Sequence, residues 1–221
     1  MIDLSNAKLL DKKDVLSKFH SLFYHQKNEI YFDGNSLGKL PLQAQKTIEE
    51  AVQKQWGEGL IRSWNQYWLS LSSRISDKYS ELLGAEKGEI IIGESTSVSL
   101  YQVTYALLKK GDFPKQLSTD ILNFPTDLYV LEGLGKSFEI PPLKIISYKD
   151  EVEAEIEILK ASIKNNPGIV CLSLVSYKSA YLYPMKQLNP DCAQLPRSFP
   201  RNLSIGKTSQ RRYSFRGSQC Q

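Results

Sequence analysis

The stretch Glu89-Ile90-Ile91-Ile92-Gly93-Glu94-Ser95-Thr96-Ser97-Val98-Ser99-Leu100-Tyr101 joins a short apolar run to a segment, Val98 to Lys109, that is apolar on most sides and reads as a buried helix. A strand that ends in a small, hydroxyl-rich turn and feeds a helix leaves backbone N–H groups without intrahelical acceptors at the positive end of the helix dipole. Such a turn receives an anion, most naturally a phosphate. Taken alone, the stretch favours a plainer reading, in which Ser95 or Thr96 merely caps the helix. The rest of the chain decides between the two.

Downstream, Asp120-Ile121-Leu122-Asn123-Phe124 reads as a further strand, and Pro125 stands at the first position of the next helix, where its missing N–H costs nothing. Lys144-Ile145-Ile146-Ser147-Tyr148 makes another strand, and Val152, Ile156, Leu159 and Ile163 mark a helix face. Gly168 to Val175 is the nearly continuous apolar run expected of a parallel strand covered on both faces. Upstream, Val15, Phe19, Leu22 and Phe23 give residues 13 to 26 the spacing of an amphipathic helix, and Ile30-Tyr31-Phe32 reads as a short strand. It runs into the loop Asp33-Gly34-Asn35-Ser36-Leu37-Gly38, where a ligand can approach the backbone closely. Leu42, Ile48, Val52 and Trp56 mark a helix after Pro41 that Gly57 and Gly59 break. A second stripe, Trp64, Trp68, Leu71, Ile75, Tyr79 and Leu82, begins near Ser63, reads as helical core, and ends at Gly84. Strands alternating with helices give an α/β fold with a mostly parallel sheet flanked by helices, and ligands of such sheets bind beyond the carboxyl ends of the strands. The turns at 93 to 99 and 124 to 127 both fall at such ends and are placed to share one site.

Composition sets bounds on function. The chain has 221 residues, enough for one domain or for part of a larger one. No apolar run approaches the roughly 20 residues that span a bilayer, and the start of the chain lacks the layout of a signal peptide, so a cytoplasmic location without membrane partners follows by default. Three cysteines and two histidines show no ligand spacing, and no metal site is indicated. The net charge of +4 invites a nucleic-acid reading, but residues 189–221 hold six basic groups (Arg197, Arg201, Lys207, Arg211, Arg212, Arg216) against one acid, Asp191. The remaining 188 residues then carry 22 basic and 23 acidic groups, so the body of the chain is not basic and nucleic acid is not expected as a partner.

Tyr31-Phe32-Asp33-Gly34-Asn35-Ser36-Leu37-Gly38, the helix start at Trp64, Ser95-Thr96-Ser97-Val98-Ser99-Leu100 and Phe124-Pro125-Thr126-Asp127-Leu128-Tyr129 resemble, in order and at similar separations, the motifs of kynureninases. Those enzymes belong to fold-type I, on the aminotransferase class V branch, and use pyridoxal 5′-phosphate (PLP). The resemblance covers about residues 1 to 188. It implies that this chain is an incomplete large domain of a PLP-dependent transferase fold, with 1–40 an N-terminal segment, 41–188 the partial PLP-binding domain and 189–221 an aberrant, disordered basic tail. It further implies that Thr96 and Ser97 hold the cofactor phosphate, that Phe124 stacks on the pyridine ring with Pro125, Thr126 and Asp127 beside it, and that Ser173 is another cofactor contact. Ser36 and Trp64 match residues on the substrate side, where the family builds its site across a homodimer. The implied reaction is hydrolysis of L-kynurenine, or its 3-hydroxy form, to an anthranilate and L-alanine in tryptophan catabolism. The Gly-Asn-Ser-Leu-Gly loop disfavours other class V enzymes such as desulfurases.

The chain also departs from the pattern. The family's acid for the pyridine nitrogen and its Schiff-base lysine lie in an Asp-x-x-His and a Tyr-Lys segment, and neither occurs in residues 189–221. Arginine occurs only at Arg62 and Arg74 in the first 188 residues but five times in the last 33, among three prolines and five serines. The expectation is a sequence foreign to the family, arising from a shifted frame or a mis-joined segment, and a chain with no catalytic residue of its own. Tyr177-Lys178 imitates the Tyr-Lys segment, but it comes too early and no Asp-x-x-His precedes it. The competing expectation is a non-catalytic fragment that associates with a full-length subunit.

Overall fold

The computed structural model describes residues 3–112 and 114–192, with side chains to residue 188. The expected disordered tail falls, from residue 193 onward, outside the described residues. The chain divides into two compact units, Met1–Leu71 and Ser72–Gln221.

In the first unit, α1 (Leu4–Lys13) starts at Asp3, whose carboxylate accepts the Asn6 N–H at 2.8 Å, and ends on Lys12 and Lys13, which suit the negative end of the dipole. The helix expected over 13 to 26 is instead a 3₁₀ turn, Ser17–Leu22. Asp14 is the cause: its carboxylate takes the Leu16 N–H and its carbonyl takes the Ser17 hydroxyl, both at 2.8 Å, which draws the chain off an α path. Ile30-Tyr31-Phe32 forms no ladder, and Ile30 and Phe32 are exposed. A β-rich triplet becomes a strand only where a neighbour supplies partners. The 33–38 loop is closed by the Tyr31 hydroxyl, 2.8 Å from the Asp33 carbonyl and 2.6 Å from that of Leu37. Behind Pro41, α2 (Leu42–Glu50) forms as expected, continues as a π-helix over Ala51–Gly59 without breaking at Gly57, and is followed by a π-helical turn at Trp64–Trp68.

Helix α3 (Leu71–Leu83), which lies in the second unit from Ser72 onward, ends at Gly84 as expected. Its buried side chains are Ser76 and Ser80, while Leu71, Tyr79 and Leu82 of the expected core stripe are exposed, as is Trp64 before it. Residues 89–92 make no ladder, with Glu89 in a bend, so the strand expected there is absent. Next come α4 (Thr96–Lys110), stopped by Gly111 at φ 75°, and β1 (Leu117–Asp120). The strand sits three residues earlier than its sequence suggests, because Asp120 turns the chain: its carboxylate accepts the Leu122 N–H at 3.2 Å and its carbonyl the Asn123 N–H at 3.3 Å. Then follow α5 (Pro125–Ser137), β2 (Lys144–Ile146), α6 (Ile156–Asn165), β3 (Ile169–Val170) and α7 (Met185–Cys192), the last without a sequence signal. Val152 lies outside α6, its N–H held at 2.9 Å by the Asp150 carboxylate.

The sheet is parallel throughout, in the order β2-β1-β3, with Ser118 opposite both Lys144 and Val170. Beyond β3 the Cys171 N–H still donates to the Ser118 carbonyl at 2.9 Å, and the apolar run then bends at Leu174. Two clusters form the core. Leu100, Leu108, Leu117, Leu131, Leu134 and Cys171 join α4 and α5 to the sheet. Leu122, Ile146, Leu159, Ile163, Tyr183 and Leu188 do so for α6 and α7. Both place the carboxyl ends of β1 and β3 on a rigid base. No helix among the described residues is long and apolar enough to cross a membrane.

Candidate functional site

The turn between β1 and α5 carries a buried polar network. Asn123 is buried there. Its Oδ1 accepts the Phe124 N–H at 2.9 Å and the Ser173 hydroxyl at 2.6 Å, and its Nδ2 donates to Thr119 Oγ1 at 3.0 Å. Thr119 in turn donates to the Cys171 carbonyl at 2.8 Å. One amide thus ties the end of β1, the start of α5 and the extension of β3, and it brings Ser173 to the Phe124 turn. Sequence reasoning placed Asn123 in a strand and gave it no role; its partners lie up to fifty positions away, which no local pattern reveals.

Phe124 is the N-cap of α5 and Pro125 occupies the first helical position, as expected. The Phe124 ring is 39% exposed and meets the Tyr177 ring edge-on, 4.9 Å between centroids at 74°. Pro125 and Thr126 are exposed, whereas Asp127 is only 2% exposed and stands in the first turn, where a carboxylate suits the helix dipole.

Asp120, also passed over by the sequence reading, is fully buried at the end of β1. Its Oδ2 accepts the hydroxyls of Tyr148 at 2.9 Å and Tyr183 at 2.5 Å. Burial pushes the Asp120 carboxyl above the ordinary carboxylate range, a rise opposed by the Tyr183 and Tyr148 hydroxyls and by backbone N–H groups. Burial, and then the Asp120 charge, raises both phenols as well.

At α4 the cap expected as the plainer alternative is present: Ser95 Oγ accepts the Val98 N–H at 3.2 Å. The N–H groups of Thr96 and Ser97, at the first two helical positions, have no intrahelical acceptor. Thr96 is exposed and Ser97 half-buried. Gly93 allows the close entry to this helix, since a Cβ there would lie 2.9 Å from Ser99 Oγ. The chain before Gly93 is not a strand, so only the 124–127 turn follows one, through the 121–123 bend. The first helical turns of α4 and α5 belong to helices packed against each other within one unit.

Ser36 and Trp64 belong to the first unit. Ser36 donates its hydroxyl to the Asp33 carboxylate at 2.7 Å, and Trp64 is exposed. Lys178 is exposed and bound to Glu151, which raises its pKa above the ordinary lysine value, the reverse of what a nucleophilic amine requires. No group of three His, Cys, Asp or Glu side chains able to hold a metal occurs among the described residues.

No family model matches the chain. It is 34% identical over 194 residues to a kynureninase of Pseudomonas fluorescens, covering 85% of this chain and 45% of that one. Kynureninases of Burkholderia pseudomallei strain K96243 and of Deinococcus radiodurans are each 31% identical over 193 residues, with the same coverage. Among solved structures, a lysine-to-alanine variant of C-DES with glycine covalently linked to its PLP cofactor superposes with a TM-score of 0.67 at 15% identity, over 91% of this chain and 49% of that one. The cystine C-S lyase C-DES with its product cysteine persulfide gives 0.64 at 13% identity, over 85% and 47%. At such identities the likeness speaks for the fold, which is the fold-type I arrangement over about half of its extent. The chain spans about half the length of the relatives it matches, and by sequence it is similar to kynureninases over 85% of its own length.

Proposed function

We propose that these residues form one wall of a pyridoxal 5′-phosphate pocket in a kynureninase-type enzyme acting on L-kynurenine or its 3-hydroxy form. The observation that carries the reading is the Asn123 network, which ties Ser173 to the turn bearing Phe124 and Asp127. The donor set fits the group. The N–H groups and hydroxyls of Thr96 and Ser97 at a helix start suit a phosphate, the part-exposed Phe124 ring suits a pyridine face, and Gly93 leaves the entry to α4 bare of a side chain. Pro125 and Thr126 complete the turn, and Asp127 supplies a buried carboxylate for a polar contact. When bound, PLP supplies the electron sink for cleavage of a carbon–carbon bond. On the substrate side, the resemblance of the 31–38 loop and of the helix start at Trp64 to kynureninase motifs supports roles for Ser36 and Trp64.

The sequence holds no Asp-x-x-His segment and no lysine is buried among the described residues, so these residues bind and orient the cofactor but supply no Schiff-base amine. The expected outcome of incubating the chain with PLP is retention on dialysis that weakens when Thr96 and Ser97 are both replaced by alanine, with no kynurenine hydrolysis. No retention, or the same retention in the double variant, removes the pocket; turnover by this chain removes its catalytic silence.

A second reading, association with a second or longer copy, is supported by the exposed apolar side chains of the first unit. Ala51, Val52, Trp56, Leu60, Ile61 and Trp68 line a cleft of about 520 Å³. Size-exclusion chromatography with the Pseudomonas enzyme tests it, and a monomer that ignores the added enzyme would remove it.

A further inference from the structure

Asn123 fixes the direction of every proton around Ser173. A backbone N–H can only donate, so the Asn123 atom 2.9 Å from the Phe124 nitrogen is the amide oxygen, and the orientation of the whole amide follows. That oxygen also lies 2.6 Å from Ser173 Oγ and has no proton to give, so the serine spends its single proton on it. On the far side Nδ2 donates to Thr119 Oγ1 at 3.0 Å and faces Cys171 Sγ at 3.7 Å. Thr119 sends its own proton to the Cys171 carbonyl at 2.8 Å, because a carbonyl can only accept. Thr119, Asn123 and Ser173 are all buried, which shields the relay from exchange with water. Ser173 is left with lone pairs and no proton to offer.

We propose that Asn123 is a positioning residue that makes Ser173 an obligate hydrogen-bond acceptor, so that the ligand group meeting this wall carries a proton. The inference rests on the pocket reading above and narrows it to a hydroxylated or N-protonated heteroaromatic ligand in its protonated form. The same amide oxygen holds the Phe124 N–H, so one side chain sets both the acceptor and the backbone under the aromatic face. A change at Asn123 therefore alters which protonation state of a ligand is preferred as well as the stability of the turn.

The test is equilibrium dialysis of pyridoxal 5′-phosphate against the full chain and its Ser173→Ala, Ser173→Thr, Asn123→Asp and Asn123→Leu variants across a pH series, with circular dichroism of the bound chromophore. Ser173→Ala is expected to weaken binding about three- to tenfold, the range of one hydrogen bond, where the ligand group is protonated. That ratio should shrink to unity as the ligand loses its proton, and Ser173→Thr should restore it. Asn123→Asp keeps an acceptor for both Ser173 and Phe124 and should keep the pH dependence. Asn123→Leu releases the serine proton and should abolish it. If the Leu variant does not fold, the Ser173→Ala ratio across pH decides by itself. A ratio that is flat with pH, or equal binding by Ser173→Ala, overturns this inference alone. No binding by the unmodified chain overturns the pocket reading and this inference with it.

Discussion

Helices of the two units carry similar apolar spacing and meet opposite fates. Leu42, Ile48, Val52 and Trp56 of the first unit line one face as their periodicity demands, and all four are exposed. Leu100, Leu108, Leu131 and Leu134 of the second unit are buried, because their helices pack on each other and share one cluster with Leu117 of β1 and with Cys171. Ser63 is the only buried side chain of the first unit among the described residues. The difference teaches that periodicity identifies the face that seeks cover, whereas a neighbouring layer decides whether the same unit provides it.

The sharpest way to break that comparison is a matched pair of truncations. Leu134→Ala should cost about 2–5 kcal/mol, as for a fully buried leucine, while Ile61→Ala, at an exposed position, should stay within about 0.5 kcal/mol. Urea unfolding followed by far-UV circular dichroism measures both, and equal losses would mean that the first unit is as tightly packed as the second.

A smaller effect is expected at the polar heart of the second unit. Asp120→Asn should cost about 1–3 kcal/mol, because one amide oxygen cannot serve both the Leu122 N–H and the two tyrosine hydroxyls. The pH response gives the sign. Burial raises the carboxyl in the folded state, so its contribution to stability is fully present below about pH 4, the unfolded value, and is lost as pH rises through the folded one. Denaturant midpoints of the unmodified chain should fall across that window relative to those of Asp120→Asn; a difference that does not vary with pH would locate the titration elsewhere.

The smallest effect concerns the edge of the candidate site. Ser95→Ala removes the cap of α4 and should cost about 1 kcal/mol. It should leave the preference for a phosphate at Thr96 and Ser97 in place, which competition between inorganic phosphate and PLP would measure. Loss of that preference would make the cap and the anion contact a single function of Ser95.

Much of the second unit was legible because its signals are local. Pro125 announced the start of α5, Gly84 the end of α3, and the apolar runs before α5 and α6 and after α6 pointed to a parallel sheet. The failures share one cause, which is that strands depend on partners. Ile30-Tyr31-Phe32 and Ile90-Ile91-Ile92 have strand composition and no ladder. At the start of the chain the capping pattern of Asp3 and the closing lysines was a readable signal for α1, overshadowed by the longer apolar spacing of 13 to 26. Within the candidate site, Phe124, Pro125 and Asp127 could be named from their motif resemblance. Asn123 and Asp120, which hold the turn, could not, because Ser173 and Tyr183 reach them across fifty and sixty-three positions.

The central place of β1 carries a consequence for the order of assembly during synthesis. Its partner β2 arrives after one intervening helix, so that pair closes early and over a short span of chain. Its other flank stays open until residues 169–170 emerge, and the Asn123 amide meets Ser173 only a few residues later. A ribosome stalled before that point therefore presents a half-made sheet with one bare edge, the state in which a nascent chain most needs a chaperone.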